Sequence, residues 1–301
     1  MKFISRTIEF FRKASGPRVV VPARARLGEN PVWSAAEQAL YWIDIPAGRL
    51  HRHLPGGGDH AWQVGAEVHA LALDAAGGPL LAIDDRLLRF DVASQSLTEV
   101  QRFADWNPAC RFNDCICDRA GRLWIGSMDR KGDRPLGRLY RISAGAGAEV
   151  MLDGFTICNG PAFSLTDGQL YIADSPRRVV YRTRLGSDGT PGEMQPFTRF
   201  GADEGYPDGM AIDAQDHLWI AHYDGGRVSR FDPRGVRVAA IRFPVARVTA
   251  CTFGGPDLKT LFVTTASAGL SAKELRDQPE AGGLYAVAMD VAGVPANPCG
   301  L

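Results

Sequence analysis

Six times along its 301 residues the sequence returns to the same kind of short apolar run. The runs are ALYWIDI (39–45), PLLAID (79–84), RLWIGS (122–127), QLYIAD (169–174), HLWIAH (217–222) and TLFVTT (260–265). Turn-forming residues precede them, as in DRAGR, LTDGQ and DAQDH, and such clusters bound β-strands. Taken at Trp42, Leu81, Trp124, Tyr171, Trp219 and Phe262, the runs are 39, 43, 47, 48 and 43 residues apart. A later strand-like run follows in each unit: GRLHRH, LLRFDV, GRLYRI, VVYRTRL, GRVSRFD and GGLYAV. Strand-only units at a period of about 40–50 residues are the mark of a propeller. A sandwich or barrel needs no six similar units. The spacing therefore predicts an all-β, six-bladed β-propeller over residues 25–301, with residues 1–24 as an N-terminal extension. The one modest helix candidate is SAKELRDQ, near 271–278.

A propeller gathers strand starts from every blade around one axis, so residues distant in sequence can converge there. The functional classes left open are narrow. Lys and Arg total 34, as do Asp and Glu, so the formal net charge is zero and gives no footprint for nucleic acid or an anionic membrane. No apolar run nears the roughly 20 residues that span a bilayer. In the N-terminal MKFISRTIEFFRKASGPR, charges at Arg6, Glu9, Arg12 and Lys13 break the apolar stretch that a secretory signal needs. That segment reads as a short amphipathic or frayed extension. The six cysteines (Cys110, Cys115, Cys117, Cys158, Cys251 and Cys299) form no paired CxxC motifs and read as free thiols, with Cys115 and Cys117 on one strand face. The expected setting is the cytoplasm, and no protein partner is indicated.

Routine catalytic signatures are missing: there is no GxSxG elbow, no HExxH and no P-loop. His51 and His53 share a strand face in GRLHRHLPGGG, a context that reads as solvated surface. What remains is a set of polar residues just ahead of apolar strands. They are Glu29 in RLGENPVW, Asn113 and Asp114 in CRFNDC, Asn159 in CNGPAFS and Asp208 in YPDGMAID. Glu, Asn and Asp together make an all-oxygen donor set suited to a hard cation. The plainer reading is that Asn-Gly and Asp-Gly merely make turns, and spacing alone leaves the two near balance.

From about residue 25 to the C-terminus the chain resembles the SMP-30/gluconolactonase/regucalcin-like family. The matching segments, in order, are LGENPVWSAAEQALYWIDI, RFNDCICDRAGRLWIGSMD, CNGPAFSLTDGQLYIADS, PDGMAIDAQDHLWIAHYDGGRVSRFDP, and TFGGPDLKTLFVTTA followed by QPEAGGLYAV. The resemblance implies a six-bladed propeller with one divalent cation, Ca²⁺ first, with Zn²⁺, Mg²⁺, Mn²⁺ and Fe²⁺ as alternatives. It implies Glu29, Asn159 and Asp208 as cation ligands, Arg111 and Asn113 as substrate contacts, and Asp208 also as general base. The implied reaction is hydrolysis of a small sugar lactone to its aldonic acid, with the cation as Lewis acid. The chain departs from the family pattern in GSMDRKGD, where Lys131 stands at a position that is acidic and substrate-contacting in some members. A cation there favours an anionic or differently hydroxylated lactone. Rival expectations are a phosphotriester or aryl-ester hydrolase on the same scaffold, and a non-enzymatic calcium-binding regulatory propeller.

Overall fold

Each of the six apolar runs forms the second strand of a four-stranded antiparallel sheet. The computed structural model describes residues 16–166 and 168–301; the reading of an amphipathic N-terminal segment therefore lies, for residues 1–15, outside the described residues. The first described strand is β1 (Arg18–Val21). Blade one holds β2 (Gly28–Ser34), β3 (Ala39–Asp44), β4 (Arg49–Leu54) and β5 (Gly58–Gln63). Blade two holds β6 (Ala70–Leu73), β7 (Pro79–Ile83), β8 (Arg86–Phe90) and β9 (Leu97–Arg102). Blade three holds β10 (Cys110–Cys117), β11 (Leu123–Asp129), β12 (Gly137–Ser143) and β13 (Gly147–Phe155). Blade four holds β14 (Cys158–Phe163), β15 (Gln169–Asp174), β16 (Val179–Arg184) and β17 (Gln195–Arg199). Blade five holds β18 (Tyr206–Ile212), β19 (Leu218–Tyr223), β20 (Arg227–Phe231) and β21 (Arg237–Arg242). Blade six holds β22 (Val248–Gly254), β23 (Thr260–Thr265) and β24 (Leu284–Ala288), with β1 as its outer strand.

That last pairing corrects the expected boundary at residue 25. Strand β1 belongs to the propeller: Arg18 and Val19 pair with Ala286 and Tyr285. The N-terminal strand thus closes the ring onto the C-terminal blade, leaving no unpaired gap in it. The inner strands β2, β6, β10, β14, β18 and β22 each meet their two neighbours around the axis, with β22 returning to β2.

The turn ahead of the second strand explains why the repeat is so visible in sequence. Asp118 Oδ1 accepts from the backbone N–H groups of Ala120 and Arg122, while its Oδ2 accepts from Trp124 Nε1 at 2.9 Å. Asp213 does the same with Gln215, His217 and Trp219 Nε1, the last at 2.8 Å. One carboxylate therefore ties the turn and anchors the buried indole of its own blade. Trp124, Tyr171 and Trp219 pack between blades, so most of the core lies in the seams rather than in one central mass.

His51 and His53 are not solvated. Each is only 5% exposed. The His51 ring stacks on Trp42 with centroids 4.0 Å apart, and its Nδ1 lies 2.8 Å from Asp59 Oδ2. His53 packs edge-on against Phe262. His53 thus reaches the seam between blades one and six, and His51 is covered by neighbouring strands of its own blade, neither of which a surface-like local sequence reveals. The helix reading holds: α1 (Ala272–Asp277) begins at a capping box between Ser271 and Glu274. Among the described residues no helix is long and apolar enough to cross a membrane.

After β24 the chain runs as a strap across one end of the ring. Ala292 O accepts from Ala214 N, Gly293 N donates to Leu258 O, Cys299 N donates to Leu73 O and Gly300 N donates to Gly121 O. An axial cavity of about 330 Å³ lies between the inner strands, bounded by Asn30 and Asp114 and, from the strap, by residues 294–297.

Candidate active site

Five of the six inner strands break register near their starts, and four of these irregularities carry the polar residues singled out from sequence. The shifts fall between Glu29 and Val32, between Phe112 and Cys115, between Asn159 and Ala162, between Pro207 and Met210, and between Val248 and Ala250. A bulge re-aims side chains that a regular strand would send to alternate faces. Here it turns Asn30, Asn113, Asp114 and Asp208 toward their neighbours around the axis. Asn30 and Gly160 occupy corresponding bulge positions in the left-handed region, with φ of 46° and 50°. A side chain on Gly160 would also approach Asp208 O to 2.7 Å. The glycine of the NGP motif is therefore where blades four and five touch.

These residues link the blades in series. Asn30 Nδ2 donates to Asp114 Oδ1 at 2.9 Å, and Asn30 Oδ1 accepts from Leu71 N at 2.9 Å. Asp114 Oδ2 accepts from Gly160 N at 3.0 Å, and Asn113 Nδ2 donates to Cys158 O at 3.2 Å. Asn159 Nδ2 donates to Asp208 Oδ1, and also lies 3.2 Å from Ser175 Oγ, which donates to Pro207 O at 2.7 Å. Thr249 Oγ1 donates to Gly28 O at 2.6 Å. Asn30 is the residue that sequence reasoning missed. Its signal was an Asn before Pro at a position that demands positive φ, a conformation Asn tolerates.

The set is buried and strongly acidic. Glu29, Asn159 and Asp208 are 6%, 5% and 5% exposed. Burial, then the charges of Asp208 and Asp114, hold the Glu29 carboxyl well above the usual range. Burial, then Asp114, do the same to Asp208. Burial pushes Asp114 up to about 6. The nearby cationic side chain is Arg111, whose own guanidinium is lowered by burial and supported by Glu29, Glu67 and Asp208. Arg111 Nη1 donates to Phe112 O at 2.8 Å, which leaves further N–H donors of the guanidinium for a ligand. Among the described residues no three His, Cys, Asp or Glu side chains form a cation site by themselves. The set here is two carboxylates and an amide, and two like charges pooled in low dielectric are what a bound cation relieves. The oxygen donors fit a hard or borderline divalent ion. Lys131 lies in the turn between β11 and β12 and is exposed.

Residues 27–267 match the family model described as SMP-30/Gluconolactonase/LRE-like region, and the chain belongs to that family. A 6-deoxy-6-sulfogluconolactonase of Pseudomonas putida is 38% identical over 278 residues, covering 92% of this chain and 96% of that protein. A pentonolactonase of Haloferax volcanii is 38% identical over 248 residues, covering 82% and 84%. Among solved structures, a calcium-binding protein, regucalcin, from Agrobacterium tumefaciens superposes with a TM-score of 0.90 at 28% identity, covering 96% of this chain and 98% of that one.

Proposed function

We propose that this protein is a carboxylic-ester hydrolase that opens a sugar lactone to its aldonic acid, using one divalent cation held by Glu29, Asn159 and Asp208. The observation that carries the reading is the burial of Glu29 and Asp208 in one acidic pool beside the Asn159 amide and the Arg111 guanidinium. The lactonase relatives and the family membership support the reaction class. The regucalcin-type neighbour supports a divalent ion, for which Ca²⁺ is the first choice.

The bound ion supplies Lewis acidity toward the lactone carbonyl or the attacking water. The chain's own residues do the rest. Asp208 accepts the proton of the attacking water, a role worth roughly 10²–10⁴-fold in rate. Arg111 donates to ring or hydroxyl oxygens and steadies the negative charge that builds on the opened ester. Asn113, fixed through Nδ2 to Cys158 O, offers Oδ1 to a sugar hydroxyl. Lys131 on the rim favours a lactone bearing an anionic group. The test is hydrolysis of glucono-, xylono-, galactono- and arabinono-lactones, followed with a pH indicator, by chelator-treated protein before and after adding divalent ions. Activity that falls on chelation, returns with one of them, and is lost in Asp208→Ala is expected. Full turnover in metal-free protein or in Asp208→Ala overturns the proposal. A phosphotriester or aryl ester turned over in place of every lactone would favour the rival hydrolase.

A further inference from the structure

One buried hydroxyl stands between two of the three residues assigned to the cation. Ser175 follows directly on β15 and opens a single 3-10 turn, Ser175–Arg177; it is 7% exposed. Its Oγ lies 3.2 Å from Asn159 Nδ2 in blade four and 2.7 Å from Pro207 O, the carbonyl just ahead of Asp208 in blade five. The same Asn159 Nδ2 donates to Asp208 Oδ1.

The corner that carries Ser175 does not itself need a hydroxyl. The preceding residue, Asp174, ties it: Oδ2 accepts from Thr156 N at 3.2 Å and Oδ1 from Ile157 N at 3.4 Å. Blade one repeats the device with Asp44, which accepts from Arg26 N at 3.0 Å and from Leu27 N at 3.1 Å. There the next residue is Ile45, an apolar side chain packed into its seam. Blade four has a serine where blade one has a buried isoleucine, and both polar contacts of that serine lead to the site.

We propose that Ser175 is a positioning residue for the cation site, its hydroxyl setting the Asn159 amide with Nδ2 toward blade five and Oδ1 left as the ligating end. The inference rests on Glu29, Asn159 and Asp208 sharing a cation. Proton inventory fixes the direction. Pro207 O is a carbonyl and can only accept, so the single Ser175 hydroxyl proton goes there. Toward Asn159 the same oxygen offers only lone pairs, and only the Nδ2 end of the amide can donate to them. At the other end of the amide, Gly160 N donates to Asn159 Oδ1 at 3.2 Å. Turning the amide over would set oxygen against oxygen at Ser175 and donor against donor at Gly160.

A divalent ion needs the oxygen, since the amide nitrogen is a donor only. Of the contacts that orient Asn159, the one to Ser175 is the one a bound cation does not compete for: Asp208 is itself a ligand, and Gly160 N–H shares Oδ1 with the ion. Outer partners of this kind hold a ligand in place, and losing one costs about 10–100-fold in metal affinity.

The test is titration of Mn²⁺ into the chelator-treated, desalted full chain, with the free ion counted by electron paramagnetic resonance. Wild type, Ser175→Ala and Ser175→Thr are compared, and melting curves in chelator establish that each is folded. Ser175→Ala should bind Mn²⁺ about 10–100-fold more weakly than wild type, and Ser175→Thr, which keeps the hydroxyl, should bind like wild type. Equal affinity in Ser175→Ala and wild type overturns this inference and leaves the cation site standing. A folded Ser175→Thr that binds as weakly as Ser175→Ala also overturns it, because packing rather than the hydroxyl is then responsible. No binding by wild type overturns the shared cation, and this inference with it.

Discussion

Replacing Asp208 by Asn should remove the protein's response to divalent ions while leaving the ion-free fold at least as stable as before. The sign follows from the charges. In the ion-free protein Asp208 is buried and faces Asp114, and both effects raise its pKa. Asp114 gives the scale of the cost: its pKa of about 6 lies about two units above the ordinary value of 3.8. At pH 8 that corresponds to about 3 kcal/mol against the folded state. Asp208→Asn deletes one charge from this pool yet keeps Oδ1 as the acceptor for Asn159 Nδ2. A cation bound by the native set at a hundred times its Kd stabilises by about 2.7 kcal/mol. With an unfolding entropy near 2.1 cal/mol/K per residue, the 301 residues convert that into a rise of about 4 °C. Differential scanning fluorimetry at pH 8, with chelator and then with excess Ca²⁺ or Mn²⁺, reads both arms. Wild type should climb by about 4 °C and the variant should stay flat from an equal or higher starting point. An equal rise in the two proteins, or none in wild type, refutes the reasoning.

Asn30→Ala removes the donor to Asp114 and the acceptor for Leu71 N together; urea unfolding should show a loss of about 3 kcal/mol, and a loss below about 0.5 kcal/mol would mean the inter-blade layer is not structural. His222 is fully buried, with Nδ1 2.8 Å from Glu204 O and its ring stacked on Phe200, and burial lowers its pKa to about 4. Its folded value lies below the unfolded 6.5, so its contribution to stability is complete above pH 6.5 and is lost as pH falls toward 4. The buried carboxylates, with raised values, act in the opposite direction. The reading is therefore the difference between wild type and His222→Gln: wild type should lose about 3 kcal/mol more between pH 7 and pH 4, and parallel curves would contradict the assignment.

The legible part of this protein was its second and third strands, because one physical device repeats there. An Asp-tied turn, a buried run and a Gly-led return recur in the blades, and Asp118–Trp124 and Asp213–Trp219 show the hydrogen bonds behind the pattern. The outer strands left no such trace. β9 and β21 are largely exposed and bury no stripe, so their sequences carry little alternation. β1 was hidden for another reason: its partner, β24, lies at the other end of the chain. Within the site, Glu29, Asn159 and Asp208 could be found because Gly or Pro beside them flags irregular backbone, and Asn113 because it stands in a polar pair just ahead of an apolar strand. Asn30 carried a local signal, an Asn before Pro31, but its role did not show, since its two partners, Asp114 and Leu71, sit on blades that only the closed ring brings near. His53 misleads for the same reason, being covered across a seam by Phe262, while His51 is covered within its own blade by Trp42.

The central claim is that side chains from blades one, four and five share one cation. Anomalous diffraction from crystals grown with Mn²⁺ tests it most directly. A single strong peak is expected at about 2.0–2.6 Å from oxygens of Glu29, Asn159 and Asp208, absent in Asp208→Asn crystals. A peak elsewhere on the ring, or none with that acidic pool left bare at saturating ion, would contradict the account.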